Sequence, residues 1–506
     1  MSSRGEAPGP QPFEAESLDV SLGERQEEHR EAVAIELSRK RKTRIIATLG
    51  PASESEERIG ELIARGVDIF RFNMSHASPD WVRRISAFVR ERSRSFGRNV
   101  GLLLDTQGPA IRTGDLAARL ELHPGDKFTF TVRGDPSVDE RSVAVNYDDL
   151  AQDLRVGDVV LVDNGVIQMK VLDKEGFRVR CEVVTPGVMG SRRHINLPGV
   201  RVNLPPLTHK DLQDIDLGVE CQMDYFALSF VREANDVDLL RQILISRGSK
   251  AVIVAKIEDQ AAVRNLPQIL ESADAIMIAR GDLGIECPFE ELPIIQRRIV
   301  KICLQKMKPV IVATHLLESM TQNPVPTRAE ITDIANAVYE QADALMLSGE
   351  TAAGRYPLEC VSVLDRVIQR TERSGGAGYA ALADLTEDQQ KIASAAVHLA
   401  DQVRAAAICV FTRQGKLTTA VSGLRPRCSP IYAFVGEEDL CRRLMLGYGT
   451  EPIVSRYPAS QEEGIAIAEG ELRKRGVISS GDKMILLSEV PLHSERARSV
   501  VFYRVE

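Results

Sequence analysis

No uninterrupted apolar run in this 506-residue chain reaches the roughly 18 residues that a membrane span needs, so no membrane partner is expected. Basic residues are outnumbered. The 64 Lys and Arg face 72 Asp and Glu, giving a formal net charge of -8, and a phosphate backbone demands clustered cations instead. Nucleic acid is therefore excluded as the main partner. The eight cysteines are scattered without a Cys-x-x-Cys pair, and a chain this long needs no disulfide staples. The N-terminal stretch, residues 1–41, has no apolar signal-peptide core; it is a polar, Glu- and Arg-rich extension ending in an amphipathic helical segment. A reduced, cytoplasmic setting is expected. Hydrophobic content of 43% and charged content of 27% are ordinary for a globular protein. The length suggests roughly two to four domains.

From Thr43 onward, short aliphatic runs recur with helix-like stretches between them: RIIATLG, DIFRFNMS, VGLLLDTQG, DYFALSFV, AVIVAKIE, AIMIARGD, PVIVATHL and ALMLSGE. They do not alternate, which is the mark of strands buried on both faces. About eight such strands with intervening helices close a (β/α)8 TIM barrel, whose C-terminal rim carries the chemistry. The fold class expected is thus α/β. The barrel would occupy residues 42–114 and 205–375. Between them, residues 115–204 shift to alternating segments (KFTFTV, VVLVD, IQMKVL, FRVRCEVV) with Pro-Gly and Asp-Asn-Gly turns, the signals of a small inserted β-barrel lid. Residues 376–506 hold four further candidate strands, AAAICVFT, SPIYAFV, EPIVS and KMILLSE, spaced by helices such as Asp388 to Arg404: an open α/β sheet domain.

Where the barrel strands stop, charge appears. Lys256 and Glu258 end one run and Asp282 the next, in VIVAKIE and MIARGDLGIE. Two carboxylates beside a lysine at neighbouring strand ends suit a divalent-metal site with a cationic clamp; an ordinary ion pair is the plainer alternative. The other strands deliver Arg71, Asn73, Ser75 and His76; Asp105, Thr106 and Arg112; Ser229 and Arg232; Thr314; and Ser348 and Glu350. A rim so rich in guanidinium, carboxylate and hydroxyl groups suits an anionic, phosphate-bearing substrate held through a metal. Oxygen-only ligands predict Mg2+ or Mn2+. Gly281 and Gly284 would let backbone approach the ligand, with free N–H groups of the helix they open aimed at an anion.

The stretches TRIIATLGPAS, FRFNMSH, LLLDTQGPAIRTG, INLPGVRVNLP, VAKIE, ARGDLGIE, ATHLLESM, PTRAEITDIANAV and MLSGETAAGRYP are long and ungapped. Through them the chain resembles the pyruvate kinases over nearly its whole length from about Lys42. The resemblance implies a kinase forming pyruvate and ATP from phosphoenolpyruvate and ADP, with Mg2+ (or Mn2+) and K+, as a homotetramer. It implies that Glu258 and Asp282 hold the divalent metal, that Lys256 offsets charge on the phosphoryl group, and that Arg71 holds the phosphate. Gly281 and Asp282 backbone N–H groups and the Thr314 hydroxyl would bind carboxylate, while Thr314 or a nearby water protonates the enolate. Asn73, His76, Arg112 and Arg193 fall on the nucleotide site, and Asn73, Ser75, Asp105 and Thr106 on the K+ site.

Departures carry expectations too. Gln107 and Ala110 replace the usual lysine and glutamate, so monovalent cation should bind with a weakened requirement. Arg193 replaces lysine, and His315 and Leu316 replace glutamine and methionine. The C-terminal phosphate loop reads TRQGKLTT, with Gly415 and Lys416 as anion contacts; LHSERARS stands where a Gly-rich loop would close on a sugar bisphosphate, so fructose 1,6-bisphosphate should not activate strongly. Ser348 and Glu350 are expected to support the rim, and Cys303 and Cys409 to be core thiols. Two other readings remain open: a metal-dependent aldolase or lyase acting on pyruvate, which would need no nucleotide site, and a non-catalytic metabolite sensor.

Overall fold

The computed structural model describes residues 41–134, 141–492 and 495–506; the expected N-terminal extension lies outside them apart from Arg41. Eight parallel strands close a barrel: β1 (Arg44–Thr48), β2 (Ile69–Asn73), β3 (Gly101–Asp105), β4 (Tyr225–Leu228), β5 (Val252–Ile257), β6 (Ala275–Ala279), β7 (Val310–Ala313) and β8 (Ala344–Leu347). The strand runs lack alternation because both faces are buried. Outward residues such as Phe70, Leu102 and Ile253 pack under the helices, while Ile69, Leu103, Val254, Met277 and Ile311 fill the interior. Side chains alternate along a strand, so Ile69, Arg71 and Asn73 share the inward face, as do Val254, Lys256 and Glu258. The polar residues of the rim are therefore the top layer of the barrel's own interior.

The opposite end is closed by a repeated device. Asp68, Asp224, Asp274 and Asp343 each precede an even-numbered strand, and each carboxylate accepts the backbone N–H of an odd-numbered neighbour: Ile45, Leu102, Ile253 and Val310, at 2.8, 2.8, 2.9 and 2.9 Å. Each of these aspartates also meets an arginine, Asp274 pairing with Arg241 at 3.1 Å. Asp68 pairs with Arg41 at 3.0 Å, Asp224 with Arg442 at 2.9 Å, and Asp343 with Arg425 at 2.7 Å. Arg425 and Arg442 belong to the C-terminal domain, so these caps also dock it. Met445 and Leu446 plug the barrel floor, and the Tyr225 hydroxyl donates to the Arg442 carbonyl at 2.7 Å while accepting from Leu446 N.

Between β3 and β4 the inserted segment forms a six-stranded sheet and a two-stranded ribbon around one core that includes Phe128, Phe130, Val160 and Met169. Its strands are antiparallel except for one parallel pair, Lys127–Thr131 with Ser142–Ala144. The C-terminal sheet runs in the order β11-β10-β9-β12-β13, from β9 (Ala407–Phe411), β10 (Ile431–Val435), β11 (Thr450–Val454), β12 (Lys483–Leu492) and β13 (Glu495–Arg504). The four expected strands are parallel. The fifth, β13, is an antiparallel edge that the strand pattern did not disclose.

Candidate active site

Lys256 is the hub of the rim. Its ammonium lies 3.0 Å from Asp105 Oδ1 and 2.9 Å from Glu258 Oε1, and donates to Ser229 Oγ at 2.7 Å. Asp105 in turn accepts from Arg71 Nε at 2.7 Å, and Arg71 Nη1 reaches Thr48 Oγ1 at 3.1 Å. Five strands contribute to one chain of charge. Burial alone would raise the Asp105 carboxyl, but Lys256 and Arg71 hold it below the usual carboxylate range. Burial would likewise depress Lys256; Asp105 and Glu258 outweigh it and keep the ammonium charged.

Glu258 behaves differently. It is 1% exposed, and burial, with Asp282 adding like charge, pushes its carboxyl up to about 7 despite Lys256. Its second oxygen accepts from Phe230 N at 2.6 Å. No group of three or more His, Cys, Asp or Glu able to hold a metal occurs among the described residues. A buried Glu258 carboxylate that feels the charge of the half-buried Asp282 fits a hard divalent cation that keeps waters and takes remaining ligands from substrate. The pair does not fit a closed all-protein cage.

Thr314 occupies an unusual backbone. It and His315 adopt φ of +69° and +55°, a left-handed conformation disfavoured for a β-branched residue. Its hydroxyl accepts from Gly281 N at 2.8 Å and donates to the Ala313 carbonyl at 2.7 Å. The expectation of a free Gly281 N–H is thus corrected: Thr314 already takes it. Arg280, buried beside them, donates to the carbonyls of Ala313 and Thr314 at 3.2 and 2.6 Å and to Asp333 at 2.7 Å. Arg280 was not among the expected site residues: it follows β6 directly and opens the next helix, and nothing local in the sequence marks it as a support for Thr314. The helix that follows β6 spans Arg280–Glu286, so Gly281 and Asp282 lie in its first turn.

Asn73, Ser75, Asp105 and Thr106 sit at the adjoining ends of β2 and β3, with Asn73 in register with Asp105. Asn73 Oδ1 accepts from Ser75 N at 3.2 Å, and Thr106 Oγ1 accepts from Ser229 N at 3.1 Å. His76 is exposed beside them. Arg112 and Arg193 find partners in the inserted domain instead: Arg112 N–H donates to Asn146 Oδ1 at 2.7 Å, and Arg193 Nη1 pairs with Asp163 at 3.2 Å. Glu350, wholly buried, accepts from Leu317 and Ser348 N–H groups at 3.1 and 2.7 Å, which is the supporting placement expected of it. Cys303 and Cys409 are fully buried, as expected for core thiols.

A cleft of about 720 Å3 opens between the inserted domain and the ends of β4 and β5. Residues distant in sequence line it. Asn196 of the inserted domain donates to Glu286 at 3.1 Å, burial pushes the Glu286 carboxyl up to about 7, and His194 packs edge-on to Phe230. Burial also lowers His194 below the usual histidine range, Asp282 opposing and Arg112 adding to the effect. In the C-terminal domain, TRQGKLTT is a strand-to-helix turn in which Gly415, at φ +86°, donates to Thr412 Oγ1 at 3.0 Å. Two residues of LHSERARS, His493 and Ser494, lie outside the described residues.

Residues 40–361 match the family model described as pyruvate kinase, barrel domain, and residues 390–500 match pyruvate kinase, alpha/beta domain. The chain is 39% identical over 453 residues to plastidial pyruvate kinase 2 of Arabidopsis thaliana, covering 88% of this chain and 78% of that protein. It is 38% identical over 462 residues to a pyruvate kinase of Geobacillus stearothermophilus, covering 90% and 78%. A crystal structure of a pyruvate kinase from Cryptosporidium parvum superposes with a TM-score of 0.88 at 32% identity, covering 93% of this chain and 97% of that one.

Proposed function

The chain belongs to the pyruvate kinase family, and from that premise we propose how this rim moves a phosphoryl group from phosphoenolpyruvate to ADP, giving pyruvate and ATP. The observation that carries the proposal is the Lys256 ammonium between Asp105 and Glu258, with Arg71 on the far side of Asp105. Phosphoryl transfer asks for position and charge rather than covalent work. Lys256 and Arg71 supply fixed positive charge where negative charge spreads over the transferring oxygens. Both are locked by carboxylates, so neither must reorganise as the reaction proceeds.

Glu258 and Asp282 would hold Mg2+ or Mn2+, which would supply Lewis-acid charge to the anionic oxygens of the substrate. Asp282 N–H orients the carboxylate, joined by the Thr314 hydroxyl when its proton turns from the Ala313 carbonyl to the substrate. Gly281 N–H acts one step back, by fixing that hydroxyl. The enolate takes its proton from Thr314 or from a nearby water. Asn73, His76, Arg112 and Arg193 serve the nucleotide; Arg193 rides on the inserted domain and Arg112 is tied to it through Asn146, so they reach it as that domain closes. Asn73, Ser75, Asp105 and Thr106 offer oxygens to K+, with the requirement weakened because Ala110 brings no charge. A homotetramer is supported by exposed apolar side chains, Phe289, Ile294 and Val325, at 86, 60 and 68%.

Among the described residues no helix is long and apolar enough to cross a membrane. The test is pyruvate formation from phosphoenolpyruvate and ADP, with and without Mg2+, and with and without K+, at the oligomeric state found by light scattering. Turnover that requires the divalent ion and falls only partly without K+ supports the reading. An active chain that ignores divalent ions contradicts it.

A further inference from the structure

The helix that carries Asp282 is only seven residues long, Arg280–Glu286. A helix this short does not hold its direction alone, so whatever pins its two ends decides where Asp282 sits. Arg280 fastens the first end to the carbonyls of Ala313 and Thr314. The last residue is Glu286, one turn beyond Asp282, and no step of the proposed reaction uses it.

Three segments meet at Glu286. Its carboxylate accepts from Asn196 Nδ2 at 3.1 Å, and Asn196 belongs to the short strand Ile195–Asn196 of the inserted domain. Its backbone carbonyl accepts from Gln260 Nε2 at 2.6 Å, two residues beyond Glu258. Asn196 and Glu286 are only 5 and 9% exposed, so water competes little for the bond between them. The residue before Glu286 meets the same domain. A Cβ placed on Gly165, in the turn that pairs with Arg193 through Asp163, would stand 3.4 Å from Ile285 Cγ2. The joint thus ties together the segment holding Glu258, the helix holding Asp282 and the inserted domain.

The joint also has a spare acceptor. Asn196 Oδ1 is buried without a hydrogen-bond partner among the described residues. An ionised carboxylate cannot donate to it. An amide in place of the Glu286 carboxylate would do so, while its oxygen still accepted from Nδ2.

We propose that Asn196 and Glu286 are positioning residues for the divalent-metal site: the inserted domain, docked through this pair, fixes the Asp282 helix against the Glu258 segment, and metal affinity depends on that docking. The inference rests on the reading of Glu258 and Asp282 as the metal ligands. Neither Asn196 nor Glu286 is itself a ligand. Groups that orient ligands in this way change metal affinity by about 10–100-fold. By reciprocity, a bound ion favours the docked domain.

Mn2+ titration of the full chain tests this, followed by loss of the free-ion electron paramagnetic resonance signal without substrates. The pH is 8, where a carboxyl near 7 is mostly ionised. Asn196→Leu keeps the size of the side chain and removes its hydrogen bonds without changing charge; Mn2+ affinity should weaken by about tenfold. Glu286→Met should do the same. Glu286→Gln keeps the bond and satisfies Oδ1, so it should stay within about threefold of wild type. The exchange Asn196→Asp/Glu286→Gln conserves net charge and reverses the donor, and should also stay within about threefold. In steady-state assays Asn196→Leu should need about tenfold more Mg2+ for half-maximal rate, with kcat recovering at saturating Mg2+. A merely structural lesion would depress kcat at every Mg2+ concentration.

Wild-type Mn2+ affinity in Asn196→Leu and Glu286→Met overturns the joint. A tenfold loss in Glu286→Gln or in the exchange variant overturns it too, because the carboxylate would then act as a ligand or a charge. Thermal melts report the fold of each variant, and the two amide-bearing variants preserve shape if an apolar one melts early. Glu258→Gln separates this inference from the reading beneath it. A wild type that binds no Mn2+, or binds it no better than Glu258→Gln, overturns the metal site and the joint together; a wild type that binds while Asn196→Leu matches it overturns the joint alone.

Discussion

Replacing Arg280 with methionine asks whether its guanidinium holds the Thr314 turn. Thr314 and His315 carry φ of +69° and +55°. Left-handed backbone costs a non-glycine residue about 1–2 kcal/mol, so the turn stores roughly 2–4 kcal/mol. Arg280 donates to the carbonyls of Ala313 and Thr314, and a hydrogen bond from a charged group contributes about 1.5–3 kcal/mol. Strain and restraint are of the same size. Without the guanidinium the turn should relax, and Thr314 Oγ1 should leave Gly281 N. A displacement near 1 Å at a reacting group costs about 100-fold, so kcat/KM of Arg280→Met should fall by that order. Urea denaturation should show a loss of roughly 2–4 kcal/mol. A second variant separates strain from simple packing loss. His315→Gly removes one residue's φ cost and leaves the guanidinium untouched; in the Arg280→Met background it should restore about 1 kcal/mol of stability. Arg280→Met with kcat/KM within about threefold of wild type would refute the reasoning.

Glu258 carries a pH prediction: with its carboxyl near 7, the metal-free folded chain holds a proton that the unfolded chain, titrating in the ordinary glutamate range, has released. Its contribution to stability therefore falls as pH rises through that window, and Mg2+ affinity, measured by competition with a chelating dye, should weaken by up to about tenfold per pH unit below 7; Glu258→Gln should flatten the profile. Asp224→Asn leaves Arg90 and Arg442 facing a neutral amide and should cost about 3–5 kcal/mol in denaturant melts, loosening the C-terminal domain; a melt like wild type would refute the docking role. Omitting K+ should leave measurable turnover, and complete loss would contradict the reading of Ala110. Fructose 1,6-bisphosphate should leave the phosphoenolpyruvate curve nearly in place; a large leftward shift would contradict the reading of the C-terminal loops.

Lys256, Glu258, Arg71 and Asp105 were legible because strand parity is a local property. A residue two positions beyond a buried inward aliphatic must face inward as well, and a charge there must find partners. The barrel itself was legible from eight unalternating runs. Other features depend on the closed ring and carry no local signal. Asp68, Asp224, Asp274 and Asp343 look like ordinary polar residues before a strand until closure brings each to its neighbour's first N–H groups. Their recurrence ahead of every second strand was the one available sign. Asn196 and Glu286 are 90 residues apart and meet only because the inserted domain folds back over the rim. The strained Thr314 turn has no glycine to announce it. Strand β13 pairs along an edge, and its Val500 and Phe502 are part-exposed while Val501 and Tyr503 pack inward, an alternation distinct from the buried runs that marked the other strands.

The central claim is that a fixed Lys256 charge carries the phosphoryl group across. The measurement that bears on it most directly compares wild type with Lys256→Met in a coupled assay of pyruvate formation from phosphoenolpyruvate and ADP with Mg2+, with and without K+. Turnover should fall by about 1,000-fold or more in the variant under both conditions, while the thermal melt shows that the fold persists. A folded Lys256→Met protein that turns over within about tenfold of wild type would contradict the account.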